Sequence, residues 1–312
     1  MLNLTRLRVL SEVINRGSFS AAADALDYTQ SAVSQAIARL EAETGTTLVV
    51  RDRRGVRPTA AGATLLNHAD AIFAQVQSAE DDLAAVLGLR GGRLRVASFP
   101  SAGATLLPQA IASFRRAHPN VELSLAEGEP ESIAPRLRAG EFDLGLLFGF
   151  IGDEDRFAGL SATLLFNDPL YAAIPVDHML ARKHALTLND LSREDWVQTS
   201  AEGACGRYVV EQCLAAGFEP HVSFESDDYE TVQGLVAAGV GVALIPRLAL
   251  TRVHPGILVR ALEPSSPVRN VIVATAADPG VAPAAKAMLE ILRGRAPEYA
   301  EGRVGRYGVG LT

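Results

Sequence analysis

Cysteine is scarce in this chain, with only Cys205 and Cys213 among 312 residues, so no disulfide framework can hold it together. A secretory leader is not visible either. The first apolar positions, Leu4, Leu7, Leu10, Val13 and Ile14, are interrupted by Arg6, Arg8 and Glu12, as on an amphipathic helix. A cytoplasmic setting with two free thiols is therefore expected. No apolar run approaches the ~20 residues that span a bilayer, so no membrane partner is expected. Positive charge is also in deficit: the formal net charge is −7, which excludes a uniformly basic nucleic-acid coat and leaves only local patches. Patterns for metal ligation, phosphate cradling or an activated nucleophile are missing. Glu127 with Glu129 and Asp177 with His178 are isolated pairs that read as solvated charges, so neither an enzyme nor a cofactor is expected.

The informative stretch is Ser18 to Glu43. Ser18 is a good N-cap for a helix with Phe19, Ala22, Ala23 and Leu26 on one face. Asp27-Tyr28-Thr29 breaks that pattern, and Asp27 tolerates a left-handed turn because its side chain is short. Val33, Ala36, Ile37 and Leu40 then give a second helix its inward stripe. Gln30, Ser31, Ser34 and Gln35 gather near its start, short or amide-bearing groups suited to base edges and phosphates. Two helices at a sharp angle, the second entering a DNA groove, describe a helix-turn-helix; a plain helical hairpin is the alternative.

The flanks favour the DNA reader. Residues 4 to 16 form a first helix closed by Gly17, and Gly45 closes the reading helix. Thr46–Arg51 and Val56–Pro58 read as short strands of a wing whose tip gathers Arg51, Arg53, Arg54 and Arg57 against Asp52 alone. From Thr59 to about Leu89 runs unbroken helical sequence, about 45 Å at 1.5 Å per residue. Leu65, Ala69, Ile72, Val76, Ala79, Leu83 and Val86 alternate steps of four and three along it, a seam expected to pair with a second copy. After Gly91-Gly92, strands and helices alternate: strands near 94–98, 121–126 and 142–148, helices over 106–118 and 132–139. A second set runs from Leu164 to Pro246, and a late strand at 268–276 and helix at 282–293 return to the first. That pattern predicts α/β architecture with parallel sheets in two lobes joined by two crossovers, and a ligand cleft between them.

Together the stretches RGSFSAAADALDYTQSAVSQAIARLEAETG, LVVRDRRGVRPTAAG, LPQAIASFRRAHPNVELSLAEG with LRAGEFDLGLLF, and LVAAGVGVALIP closely resemble a LysR-type transcriptional regulator, over essentially the whole chain up to its tail. The resemblance implies a winged helix-turn-helix (1–58), a dimerising linker helix (59–90) and a two-lobed effector domain like periplasmic solute-binding proteins (91–296). Lobe I would hold 91–163 and 268–296, lobe II 164–267, with 297–312 as a flexible tail and a homodimer or homotetramer as the assembly. It places Gln30, Ser31, Ser34 and Gln35 on the family's DNA-contacting positions and Arg51, Arg53 and Arg54 on its wing. Ser31 stands where the family usually has Pro, Val49 where it usually has Phe, and Pro58 where an aliphatic residue is common.

The expected function is sequence-specific binding of promoter DNA, modulated by a small organic anion. Ser98, Phe99 and Ser101 in one lobe, and Thr199 and Ser200 in the other, follow strands at strand-to-helix turns, where hydroxyls and helix N-terminal amides suit a carboxylate. The competing reading is that these hydroxyls cap their helices and Phe99 packs. Cys205 and Cys213 resemble the cysteines of peroxide-sensing family members, which makes a thiol-based redox sensor an alternative. Eight residues apart on one helix they would lie about 12 Å apart along its axis, too far for a disulfide without remodelling. A cytoplasmic solute-binding protein is the alternative from another class.

Overall fold

The computed structural model describes residues 2–52, 55–86, 92–184, 186–277 and 281–300. The chain divides into two compact units, one over Met1–Leu89, the other over Arg90–Arg138 and Phe142–Thr312. In the first, α1 (Leu4–Arg16), α2 (Phe19–Leu26) and α3 (Gln30–Thr44) precede the antiparallel pair β1 (Val49–Asp52) and β2 (Gly55–Pro58), then α4 (Ala60–Val86). Each of the first three helices starts on a side-chain cap: Asn3, Ser18 and Thr29 accept from the amides of Arg6, Ala21 and Ala32. Gly17, Asp27 and Gly45 end them in the left-handed region, Asp27 at φ 55°. Leu7, Leu10 and Val13 of α1, Phe19 and Ala22 of α2, and Val33, Ile37 and Leu40 of α3 close one core. Glu41 ties α3 to the wing, its Oε1 accepting from the amides of Leu48 (2.8 Å) and Val49 (3.3 Å).

Thr59 caps α4 through a 3.0 Å bond from the Gly62 amide, while its hydroxyl donates to the Thr47 carbonyl at 2.8 Å. A side chain at Gly62 would strike the Leu48 carbonyl oxygen, so glycine is what lets α4 lie this close to the wing. The seam divides. Ala69 is buried and Leu65 and Ile72 are half-buried against the core of the same unit, because the first turns of α4 pack on α1. Val76, Ala79 and Leu83 are exposed, Leu83 at 60%.

In the second unit, β3 (Gly92–Ser98), α5 (Pro100–Ala117), β4 (Val121–Glu127), α6 (Pro130–Arg138) and β5 (Leu144–Gly149) build a parallel start in the order β5-β3-β4. The long β6 (Leu160–Pro175) carries the chain across. Then follow β7 (Leu186–Thr187), β8 (Asp195–Gln198), α7 (Ala204–Ala215), β9 (His221–Glu225), α8 (Tyr229–Ala237), β10 (Ala243–Pro246), β11 (Ile257–Arg260), β12 (Leu262–Glu263), β13 (Val268–Ala276) and α9 (Pro283–Ala300). The expectation of purely parallel sheets is corrected here. β13 runs antiparallel to both β5 and β6 because it returns from the opposite lobe, and β10 and β11 run antiparallel to the second half of β6 within their own lobe.

Two strands bridge the lobes side by side. β6 pairs with β13 through Pro169 and with β10 and β11 from Leu170 onward, and the Leu170 amide donates to the Pro267 carbonyl at 2.8 Å. Helix α5 begins at Pro100, six residues before its apolar periodicity does, with proline in the first turn where its missing N–H costs nothing. The flexible tail expected from residue 297 is corrected as far as Ala300, and residues 301–312 lie outside the described residues. Tyr299 is buried, stacks on Phe166 at 5.7 Å and donates its hydroxyl to the Thr105 carbonyl at 3.1 Å, so α9 is anchored to its end at Ala300.

Candidate functional site

Two surfaces concern function, one in each unit. On α3 the stripe of Val33, Ile37 and Leu40 is buried, and that fixes which face is open. Gln30, Ser31 and Gln35 are exposed and Ser34 is half-buried beside them. Arg51 of the wing lies against the same face: its guanidinium sits 3.9 Å from the Phe19 ring centroid, and its Nη2 donates to Ser34 Oγ at 3.4 Å. Helix start and wing are thus one continuous polar and cationic surface. Arg53 and Arg54 lie outside the described residues.

In the second unit a cavity of about 250 Å³ opens where β3 meets α5 and where β8 meets α7. One side presents Phe99, Pro100, Ser101 and Glu129; the other presents Thr199, Ser200, Gly203, Ala204 and Cys205, with Asp227 and Tyr229 behind them. Its floor is Arg269, 1% exposed, at the start of β13. Arg269 Nε donates to Asp168 Oδ2 at 2.8 Å and Nη2 to Ser101 Oγ at 2.8 Å, while the guanidinium carbon lies 5.0 and 4.9 Å from the ring centroids of Phe99 and Phe148. Asp168 is also fully buried and accepts from the Leu248 amide at 3.0 Å. Arg269 and Asp168 are directly paired on β13 and β6, the two strands that pass between the lobes.

Of the helices that begin at the cavity, α5 and α7 lack a side-chain cap, while Asp228 caps α8. The N-cap of α5 is Phe99 and that of α7 is Gly203, and neither supplies a bond. Nor do the hydroxyls cap these helices. Ser101 Oγ holds Arg269, and Ser200 Oγ accepts from the Glu202 amide at 3.3 Å. Each hydroxyl that accepts in this way keeps its own proton to donate. Gly206 is required at the start of α7, since a Cβ there would lie 2.2 Å from the Ser200 carbonyl oxygen and 2.7 Å from that of Thr199.

The electrostatics of the cavity are mixed. Burial pushes Glu129 up to about 7 from its ordinary 4.5; Arg269 opposes the rise, while Glu131, Asp227 and Glu127 add to it. Burial lowers the pKa of Arg269 more than any one neighbour raises it, but Asp168, Tyr229 and Cys205 together make the net direction up. Burial also raises the Cys205 thiol, against Arg269, and raises Tyr229 well above the usual phenol range. Cys213 is pushed up to about 12. Both thiols are buried and free on α7, in settings that disfavour the thiolate.

Of the five residues expected in the cleft, Phe99, Ser101, Thr199 and Ser200 come together at the cavity. Ser98 does not line it: it is buried with its hydroxyl donating to the Phe99 carbonyl at 3.0 Å. Phe99 is packed, edge-on to Phe148 at 5.0 Å, and presents little of itself. Arg269, Asp227 and Tyr229 were missed, and Glu129 was misread as a solvated charge. They come from three distant places, the start of α6, the β9–α8 junction and β13, so no local spacing marks them; the one signal was Arg269 near the start of the mostly apolar strand VRNVIVATA.

Residues 4–63 match the family model of the bacterial regulatory helix-turn-helix protein, lysR family, and residues 87–297 match that of the LysR substrate binding domain. A probable HTH-type transcriptional regulator of Synechococcus elongatus, LrrA, is 35% identical over 299 residues, covering 95% of this chain and 98% of that protein. Among solved structures, a full-length OxyR variant from Pseudomonas aeruginosa has a TM-score of 0.71 at 25% identity, covering 99% of each chain. Full-length CbnR complexed with its target DNA has a TM-score of 0.69 at 22% identity, covering 95% of this chain and 100% of that one, a likeness of fold.

Proposed function

The chain belongs to the LysR family of transcriptional regulators, and from that premise we propose that two copies, clasped along α4, read duplex DNA while a small carboxylate-bearing effector in the cavity sets the spacing of the readers. In this reading the DNA-binding domain is 1–58, the clasping helix 59–90 and the effector domain 91–296. Gln30, Ser31, Ser34 and Gln35 meet base edges and phosphates, and Arg51, Arg53 and Arg54 meet the backbone beside them. Val76, Ala79 and Leu83 are the open part of the α4 seam available to a second copy. CbnR bound to its target DNA supports the same use of this fold.

The observation that carries the effector reading is the cavity itself: two uncapped helix starts and a buried guanidinium on strands that join the lobes. An anion there satisfies amides from both sides and touches the crossing strands at once. Control requires that it bind one lobe arrangement more tightly than the other, by about 5.5 kcal/mol for a complete swing in occupancy. The redox alternative is not favoured, because Cys205 and Cys213 share one helix and both thiols are held protonated.

Fluorescence anisotropy with the full chain and its own upstream region tests the reader. Gln30→Ala with Ser34→Ala is expected to weaken binding at least about tenfold, since each good base contact contributes about 1–3 kcal/mol, and wild-type affinity is expected to fall steeply with salt. Unchanged affinity in the double variant removes α3 as the reading helix.

A further inference from the structure

The charges around the cavity do not suit a plain anion. Asp168 neutralises Arg269 from beneath, through a 2.8 Å bond between two buried groups. Glu131 is engaged by Arg156 at 2.7 Å and by Arg207 at 3.0 Å. That leaves Glu129 and Asp227 facing the space, with the exposed Glu202 at its edge. Glu129 has no hydrogen-bond partner for its carboxyl among the described residues, and Asp227 accepts only the Ser200 amide at 2.9 Å. In the same cavity Arg269, nine-tenths buried and more, keeps one terminal nitrogen, Nη1, without a partner among the described residues. The cavity therefore offers donors, from Arg269 and the uncapped starts of α5 and α7, and acceptors, from Glu129 and Asp227.

We propose that the effector is a small zwitterion of the amino-acid type, its carboxylate held by Arg269 and the starts of α5 and α7 and its ammonium held by Glu129 and Asp227. This rests on the effector reading above and narrows it. A ligand with only a carboxylate would leave Glu129 unpaired and would add negative charge to a wall that already holds Glu129, Glu131 and Asp227. A ligand with only an amine would leave the guanidinium nitrogen and the helix amides without acceptors. The volume of about 250 Å³ matches some eight water molecules at ~30 Å³ each, the scale of an amino acid with a short or medium side chain.

The two kinds of ligand move protons in opposite directions. Glu129 is faced by Arg269, Glu131, Asp227 and Glu127, and it is about half protonated near pH 7. An ammonium beside it favours the carboxylate and expels the proton; a lone anion favours the acid and draws one in.

The test uses the full chain and the twenty common L-amino acids, first by shift of melting temperature and then by titration calorimetry at pH 7 in two buffers of different ionisation enthalpy. Each binder is compared with its deaminated acid and its decarboxylated amine, against wild type, Glu129→Gln and Asp227→Asn. Both substitutions keep side-chain size, and a melting curve checks that each variant folds. The expected result is an amino acid that binds with proton release, at least tenfold tighter than either truncated form, and that loses at least tenfold in Glu129→Gln and about threefold in Asp227→Asn. A deaminated acid that binds as tightly as its amino acid, takes up a proton and is undiminished in Glu129→Gln overturns the zwitterion and leaves the carboxylate reading standing. A panel in which no amino acid, acid or amine moves the melting temperature at millimolar concentration overturns both.

Discussion

The helices of the first unit and two of those that begin at the cavity, α5 and α7, start differently. Asn3, Ser18, Thr29 and Thr59 cap α1, α2, α3 and α4 with their own side chains, whereas Phe99 and Gly203 leave α5 and α7 without one. The second unit is not short of caps as such, since Asp228 caps α8 with bonds to the amides of Glu230 and Thr231. The omission falls at two of the helix starts that line the cavity, beside the capped start of α8. A good cap stabilises by about 1 kcal/mol, so its absence at two adjoining helix starts leaves donors for a visitor at a cost in stability of the empty protein.

Four substitutions break or sharpen that contrast. The largest effect is expected at the floor. Arg269→Met strands the Asp168 carboxylate in the interior and should cost about 3–5 kcal/mol in chemical denaturation, with most of that recovered when Asp168→Asn is added. Next comes Glu129. Its folded pKa lies above its unfolded one, so the native state holds the proton more tightly than the unfolded chain. The stability this gives is fully present below about 4.5 and is lost as pH rises through about 7. Glu129→Gln lacks that loss, so unfolding measured from pH 4.5 to pH 8 should shift in favour of the variant by roughly 3 kcal/mol.

At the capped end of the contrast, Thr29→Ala removes the bond to the Ala32 amide and should cost about 1 kcal/mol in the same assay. The smallest change is the most pointed. Gly203→Ser offers α7 the cap it lacks, at φ −79°, but sets its Cβ 3.3 Å from the Ser200 carbonyl oxygen, a tight contact that offsets the cap. The stability of the empty protein should change by no more than a few tenths of a kcal/mol while its ligand affinity falls.

What the sequence revealed depended on how local the cause was. Ser18, Asp27, Thr29 and Gly45 act on neighbours within four residues, and the helix-turn-helix they punctuate stands as read. The α4 seam was legible as a stripe, but periodicity does not say which neighbour covers it, and its first half serves the core of its own unit. Helix α5 was read six residues late because Pro100-Ser101-Ala102-Gly103 carries no apolar rhythm, only a proline suited to a first turn. The reversed direction of β13 and the meeting of Glu129, Asp227 and Arg269 arise from contacts between residues far apart in the chain, and those no window of sequence contains.

The contrast between capped and uncapped helix starts is tested most directly by hydrogen exchange of individual amides, with and without the amino acid that raises the melting temperature most. Protection at Ser101, Ala204 and Cys205 is expected to rise on binding, while Ala21 and Ala32, already capped, keep their rates. A ligand that binds and leaves the first three amides exchanging as before would contradict the account.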